Sequence, residues 1–220
     1  MTQKLYKLRS LGNVEDFNRV KNILETGHFW CSQFSELNDP MEGVFLIDSE
    51  QNSHNITFFS QKNRFKICSF SNKRAFWNPI MWGYYANGFK GIAIELEVDV
   101  EDENIAEVLY SERSPTIEDI HGDDDIKKIL TTKLRPWEHE GEYRFLKISS
   151  LNFHKIGRIT AVYFGDPYGH LINTAEIQKR NENIRSYIDL KEKLKKLILA
   201  LDIDSYSVKV RNCKVEIVKT

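Results

Sequence analysis

The spacing of apolar and polar positions changes period several times along the chain, and each change predicts an element. Leu5-Tyr6-Lys7-Leu8-Arg9 reads as a short first strand, after which Val14, Phe17, Val20 and Leu24 recur at helical spacing. Asn13 is placed to cap that helix, Asp16 lies in its first turn, where a carboxylate suits the helix dipole, and Gly27 predicts its end. Phe29-Trp30-Cys31 begins a second extended piece. Asn38-Asp39-Pro40 predicts a turn, because the residue before proline is pushed out of the α region. Residues 48–64 are mostly polar around Phe58-Phe59, which predicts a mobile or partly helical insertion of the kind that serves as a lid.

Phe65 to Ser71 alternates like a strand, with Phe65, Ile67, Ser69 and Ser71 on one face and Lys66, Cys68 and Phe70 on the other. Asn78-Pro79 is a cap followed by proline at the first helical position, and Asn87-Gly88 supplies an exit, framing a short helix that carries Met81, Trp82, Tyr84 and Tyr85. It leads into a strand from Gly91 to Leu96. Residues 111–130 read as a second insertion, a charged loop passing into a helix. Trp137 to Ile148 and Ile159 to Phe164 read as extended, and Ser207 to Val218 as a terminal strand pair. In the helical segment 171–204, Leu190, Leu194, Leu197 and Leu201 form a stripe opposite Lys191, Lys193, Lys195 and Lys196. Strands both in succession and separated by helices of uneven length predict an α+β fold, with a mixed, largely antiparallel sheet and flanking helices.

The chain has 220 residues, 41% hydrophobic and 12% aromatic, and no Pro/Gly/Ser-rich linker divides it, so a single domain over 1–220 is the expectation. Lys and Arg total 31 against 32 for Asp and Glu, which removes a global positive field for holding a nucleic-acid backbone. A charged N-terminus and the lack of any long apolar run predict a cytoplasmic protein without membrane partners. Cys31, Cys68 and Cys213 are odd in number and widely spaced, as buried free thiols in a reducing compartment would be.

Candidate chemistry gathers in four stretches. An extended Glu138-His139-Glu140-Gly141-Glu142-Tyr143-Arg144 would direct Glu138, Glu140, Glu142 and Arg144 to one face. Like charges at that spacing must stay wet, meet cations or shift a pKa, so a solvated edge strand with an ion pair to Arg144 and a functional carboxylate site are equal alternatives. Ser69 and Ser71 offer small hydroxyls that orient a carboxylate or a ligand amide. Met81-Trp82-Gly83-Tyr84-Tyr85 has more aromatic surface than one buried face needs, with Tyr85 the residue expected to leave the core. Asp39 and Glu42 flank a sharp turn and suit a cation or a basic side chain such as Arg9. Of the six histidines no two stand at metal-ligand helical spacing, and neither a P-loop nor a G-x-G-x-x-G motif occurs. No metal is predicted on that ground.

Leu5-Tyr6-Lys7, Leu37-Asn38-Asp39-Pro40-Met41-Glu42, Cys68-Ser69-Phe70-Ser71, Met81-Trp82-Gly83-Tyr84-Tyr85 with Lys90-Gly91, and Trp137 to Arg144 together resemble the bacterial domain-of-unknown-function family numbered twenty-nine seventy-one, from the first strand to about Gly165. A more distant similarity is to ADP-ribosyltransferases, which carry a basic residue on the first strand, a serine-containing strand and an E-x-E or Q-x-E segment. Arg9, Ser69 with Ser71, and Glu140 with Glu142 occur here in that order, although the serine strand lacks a full S-T-S form. That resemblance implies an ADP-ribosyltransferase-like fold. It implies NAD as substrate, Glu142 as the catalytic anion, Glu140 assisting the acceptor, Arg9, Ser69 and Ser71 binding NAD, and Trp82 and Tyr85 forming an aromatic wall for nicotinamide. A protein or nucleic-acid acceptor, an antitoxin or other protein partner, and a role as a toxin or in phage defence are further implications. The residues leave open a metal-dependent nuclease or phosphodiesterase using Asp39, Glu42, Glu95 and the Glu138–Glu142 carboxylates, and a non-catalytic binding module.

Overall fold

The computed structural model describes residues 1–37, 43–44, 46–47, 55–114, 116–117, 122–168, 181–212 and 214–219. In chain order the first half contains β1 (Thr2–Ser10), α1 (Val14–Thr26), β2 (His28–Trp30), β3 (Ser32–Gln33), β4 (Leu46–Ile47), α2 (Asn55–Asn63), β5 (Phe65–Ser71), α3 (Lys73–Phe76), α4 (Pro79–Tyr85) and β6 (Gly91–Asp99). The second half contains β7 (Ile105–Glu107), β8 (Leu109–Ser111), β9 (Thr116–Ile117), α5 (Asp123–Leu130), β10 (Thr132–Leu134), β11 (Glu142–Ile148), β12 (Phe153–Lys155), β13 (Arg158–Asp166), α6 (Glu182–Ala200), β14 (Asp204–Arg211) and β15 (Lys214–Lys219). The fold is mixed α/β with mostly antiparallel strand pairing. Two compact units are interleaved in sequence: Met1, Phe29–Ser69 and Asp99–Lys155 form one, and Thr2–His28, Phe70–Val98 and Ile156–Thr220 form the other.

In the first unit β5, β11 and β7 are neighbours in that order, with β3 also on β5, and Arg144 of β11 faces Ala106 of β7. The helix α5 lays Ile126, Ile129 and Leu130 on Phe65, Ile67 and Leu146, which makes a core of aliphatic and aromatic side chains. Each such side chain removed from water contributes about 1.5–3 kcal/mol before conformational entropy is subtracted. Lys62 of α2 is buried here too, donating to the Gly43 carbonyl at 3.0 Å and lying over the Phe34 ring. The helical part expected in the insertion at 48–64 is thus present at Asn55–Asn63, while 48–54 lie outside the described residues.

In the second unit the strand order is β15, β14, β13, β6, β1, and Tyr6 of β1 stands opposite Ser71 at the end of β5. The strands β13 and β14 run parallel, which requires a crossover, and α6 supplies it. Asn13 caps α1 by accepting from the Asp16 N–H, and Gly27 ends it at φ 70° with its N–H on the Ile23 carbonyl. The buried face is Val20, Ile23 and Leu24, while Val14, expected on that face, is 63% exposed. A first-turn residue lies beyond the reach of this core. The stripe on α6 also differs from expectation: Ile184, Tyr187, Leu190, Leu194 and Ile198 are buried, and Leu201 is exposed. At about 100° per residue the observed face is centred on Tyr187 and Leu194 rather than near Leu190, a rotation that brings in Ile184 and Ile198. Lys191 accordingly leaves the expected basic face and is partly buried over the Phe164 and Tyr187 rings.

Candidate functional site

Four charged side chains meet inside the first unit, and β10, β11 and the turn between them place all four. Extended geometry was expected from Trp137 onward, but Arg135–Glu140 forms a 3-10 helix that closes on Gly141 at φ 47°. Pro136 suits the first helical turn and Gly141 the left-handed exit, a pairing that the run of glutamates obscured. The common face of Glu138, Glu140, Glu142 and Arg144 therefore does not exist. Glu138 is exposed on the 3-10 helix, Glu140 turns inward from its end, and only Glu142 and Arg144 share a strand face.

Arg144, 1% exposed, grips the Glu142 carboxylate with two nitrogens, Nε to Oε1 at 2.7 Å and Nη2 to Oε2 at 3.1 Å. Its Nη1 donates to the Leu130 carbonyl at 2.6 Å, so the end of α5 holds the guanidinium in place. Lys133 of β10 donates to Glu140 Oε2 at 2.6 Å and to Glu142 Oε2 at 3.4 Å, with its ammonium 4.9 Å from the centre of the Trp137 ring. Ser69 of β5 hydrogen-bonds the same Glu142 carboxylate. The backbone around the site is tied as well: the Glu142 N–H donates to the Tyr110 hydroxyl at 2.9 Å and its carbonyl accepts from Val108 N–H at 2.9 Å.

Burial by itself would raise the pKa of Glu142, but the charge and hydrogen bonds of Arg144, the charge of Lys133 and the Ser69 hydroxyl outweigh it and hold the carboxyl at about 2. Glu142 is therefore an anion throughout the physiological range. Burial pushes the Tyr110 phenol up to about 12, so it stays neutral beside that anion. Two carboxylates facing two cations make the cluster formally neutral. A third buried carboxylate, Glu95 of β6, is held in the other unit by a different set of donors: Tyr6 and Tyr163 hydroxyls on Oε2, Thr160 and Lys4 on Oε1.

Of the residues expected to form the site, Ser69, Glu140, Glu142 and Arg144 are in the first unit, with Ser69 and Arg144 both on Glu142. Arg9, Ser71, Trp82 and Tyr85 belong to the second unit. Ser71 is buried and Arg9 half-buried. Trp82 is 0% exposed, donates its indole N–H to the Phe76 carbonyl at 2.8 Å and stacks on Phe89, so it is core rather than an open wall. Tyr85 does leave the core, at 41% exposure. Asp39 and Glu42 lie outside the described residues. Lys133 and Tyr110 are the members that sequence reasoning missed; a lysine between Thr132 and Leu134 carries no mark of burial. Cys31 and Cys68 are free and buried, and Cys213 is outside the described residues.

Among the described residues no three His, Cys, Asp or Glu side chains group as metal ligands, and no helix is long and apolar enough to cross a membrane. Comparison of the chain with protein-family models, curated proteins and solved structures finds no match.

Proposed function

We propose that this protein consumes NAD and transfers ADP-ribose, with Glu142 as the anion that favours the cationic sugar. The observation that carries this reading is the pairing of Ser69 with an ionised, buried Glu142, the two coming from neighbouring strands. An oxocarbenium-like transition state gains from an anion already in place and shielded from water. In the reaction the bond between ribose C1′ and the nicotinamide nitrogen breaks, its electron pair leaves with nicotinamide, and an acceptor nucleophile bonds C1′ and gives up its proton. The order of Arg9, Ser69 with Ser71, and Glu140 with Glu142 adds support through its similarity to ADP-ribosyltransferases. A ribose hydroxyl would displace the long 3.4 Å contact that Lys133 makes with Glu142.

The test is nicotinamide release from NAD by the wild type and by Glu142→Gln, with circular dichroism confirming that both are folded. Release by the wild type and its loss in a folded Glu142→Gln are expected. Equal release from both would remove Glu142 from the mechanism.

A second reading, a ligand-binding module without turnover, is favoured by the closure of the same network. Arg144, Lys133 and Ser69 together supply donors to both Glu142 oxygens, and the paired charges cancel. Saturable ligand binding with no nicotinamide release would select it.

A further inference from the structure

The loop that follows α4 in the second unit is built at conformational expense. Asn87, Gly88 and Phe89 all have positive φ, at 50°, 62° and 64°, and for a bulky residue such as Phe89 that conformation is an outlier. The surrounding structure over-determines it. The Gly88 N–H donates to the Gly83 carbonyl at 3.0 Å, the Phe89 N–H to the Trp82 carbonyl at 3.3 Å, and the Phe89 ring stacks on Trp82 at 5.6 Å. A Cβ on Gly165 would meet the Phe89 carbonyl oxygen at 2.2 Å, so a glycine on β13 is what lets the loop backbone approach. On the other side Leu11 N–H donates to the Lys90 carbonyl at 3.1 Å, and a Cβ on Gly12 would come within 2.8 Å of Asn87 Nδ2.

The packing of this loop leaves a cavity of about 480 Å³, lined by Tyr84, Tyr85, Lys90, Asn87, Asp16 and Asn183 among others. That volume is within the range of small-molecule sites. Tyr84 is 72% and Tyr85 41% exposed, so two adjacent phenol rings stand outside the core at its edge. Lys90 is the cation of the lining, and Asp16 is its anion, with Oδ2 already accepting from the Ser10 hydroxyl and the Gly12 N–H. Asparagine amides complete a wall able both to donate and to accept. Flat aromatic surface, one cation and several bifunctional amides suit a planar heteroaromatic ring that carries an anionic substituent.

We propose that this cavity is a binding site for a nucleoside monophosphate, with Tyr84 or Tyr85 against the base and Lys90 on the phosphate. The site is independent of Glu142, and failure of the NAD-consuming reading leaves it standing.

The test is calorimetric titration of the full chain with AMP, CMP and inorganic phosphate, repeated on Tyr84→Ala and Lys90→Gln. Both substitutions are at solvent-accessible side chains, and the Lys90 carbonyl that accepts from Leu11 is unchanged by the second. Saturable binding of a mononucleotide is expected, weakened about 10-fold by Lys90→Gln through loss of a charge-assisted bond. Tyr84→Ala is expected to cost about the same factor through lost stacking. Absence of saturable mononucleotide binding, affinity equal to that of phosphate alone, or affinity unmoved by both substitutions would overturn the assignment.

Discussion

Three glutamates are buried among the described residues, and two of them, Glu142 in the first unit and Glu95 in the second, are kept in opposite ways. Glu142 is held mainly by cations that are themselves buried, Arg144 at 1% and Lys133 at 8% exposure. Glu95 is held by a cation, Lys4, that reaches in from solvent with a side chain 54% exposed, and by the neutral hydroxyls of Thr160, Tyr163 and Tyr6. Both carboxyls end with pKa values below the ordinary range: in each case burial pushes up and the donors win. The difference lies in what happens when a donor is removed. Loss of Arg144 or Lys133 leaves a buried charge at Glu142 short of a buried partner, whereas loss of one hydroxyl at Glu95 leaves another donor on the same oxygen.

The largest expected effect is therefore at Arg144. Arg144→Met leaves Glu142 without its two-point partner and is expected to lower unfolding free energy by about 3–5 kcal/mol in urea titration, the usual cost of breaking a buried pair. Next is the response to acid. Because the folded-state pKa of Glu142 is depressed to about 2 from an ordinary 4.5, its contribution is complete above about pH 4.5 and is lost as pH falls toward 2. The loss amounts to about 3 kcal/mol, and Glu142→Gln is expected to remove that part of the pH dependence when stability is measured across pH 2 to 6.

In the other unit the effects shrink. Tyr163→Phe removes one hydroxyl at 2.9 Å from Glu95 and is expected to cost about 1–1.5 kcal/mol. Lys4→Ala is expected to cost under about 1 kcal/mol, and less at high salt, because water screens a half-exposed ammonium. A Lys4→Ala effect as large as that of Arg144→Met would erase the distinction between the two sites.

The sequence was informative where a local rule acts alone. Asn13 and Gly27 bound α1, and Asn78-Pro79 starts α4, because caps and glycine exits depend on a few adjacent residues. The second strand of the site was harder. Glu138 to Arg144 has a period-2 charge pattern, yet Pro136 and Gly141 curl its first half into a 3-10 helix. Ser69, Glu142 and an ion pair to Arg144 on the same strand face could be named in advance; that Lys133 would join from β10 depends on neighbours that no spacing reveals. Nor does a linker mark the two units, since each draws on discontinuous segments.

Incubation of purified protein with NAD labelled in its adenine half, alone and with cell extract, measures the central claim most directly when free nicotinamide and label on macromolecules are followed together. Nicotinamide release matched by label on a macromolecule, both absent from folded Glu142→Gln, is the result this account predicts. Folded wild-type protein that releases no nicotinamide in either condition would contradict it.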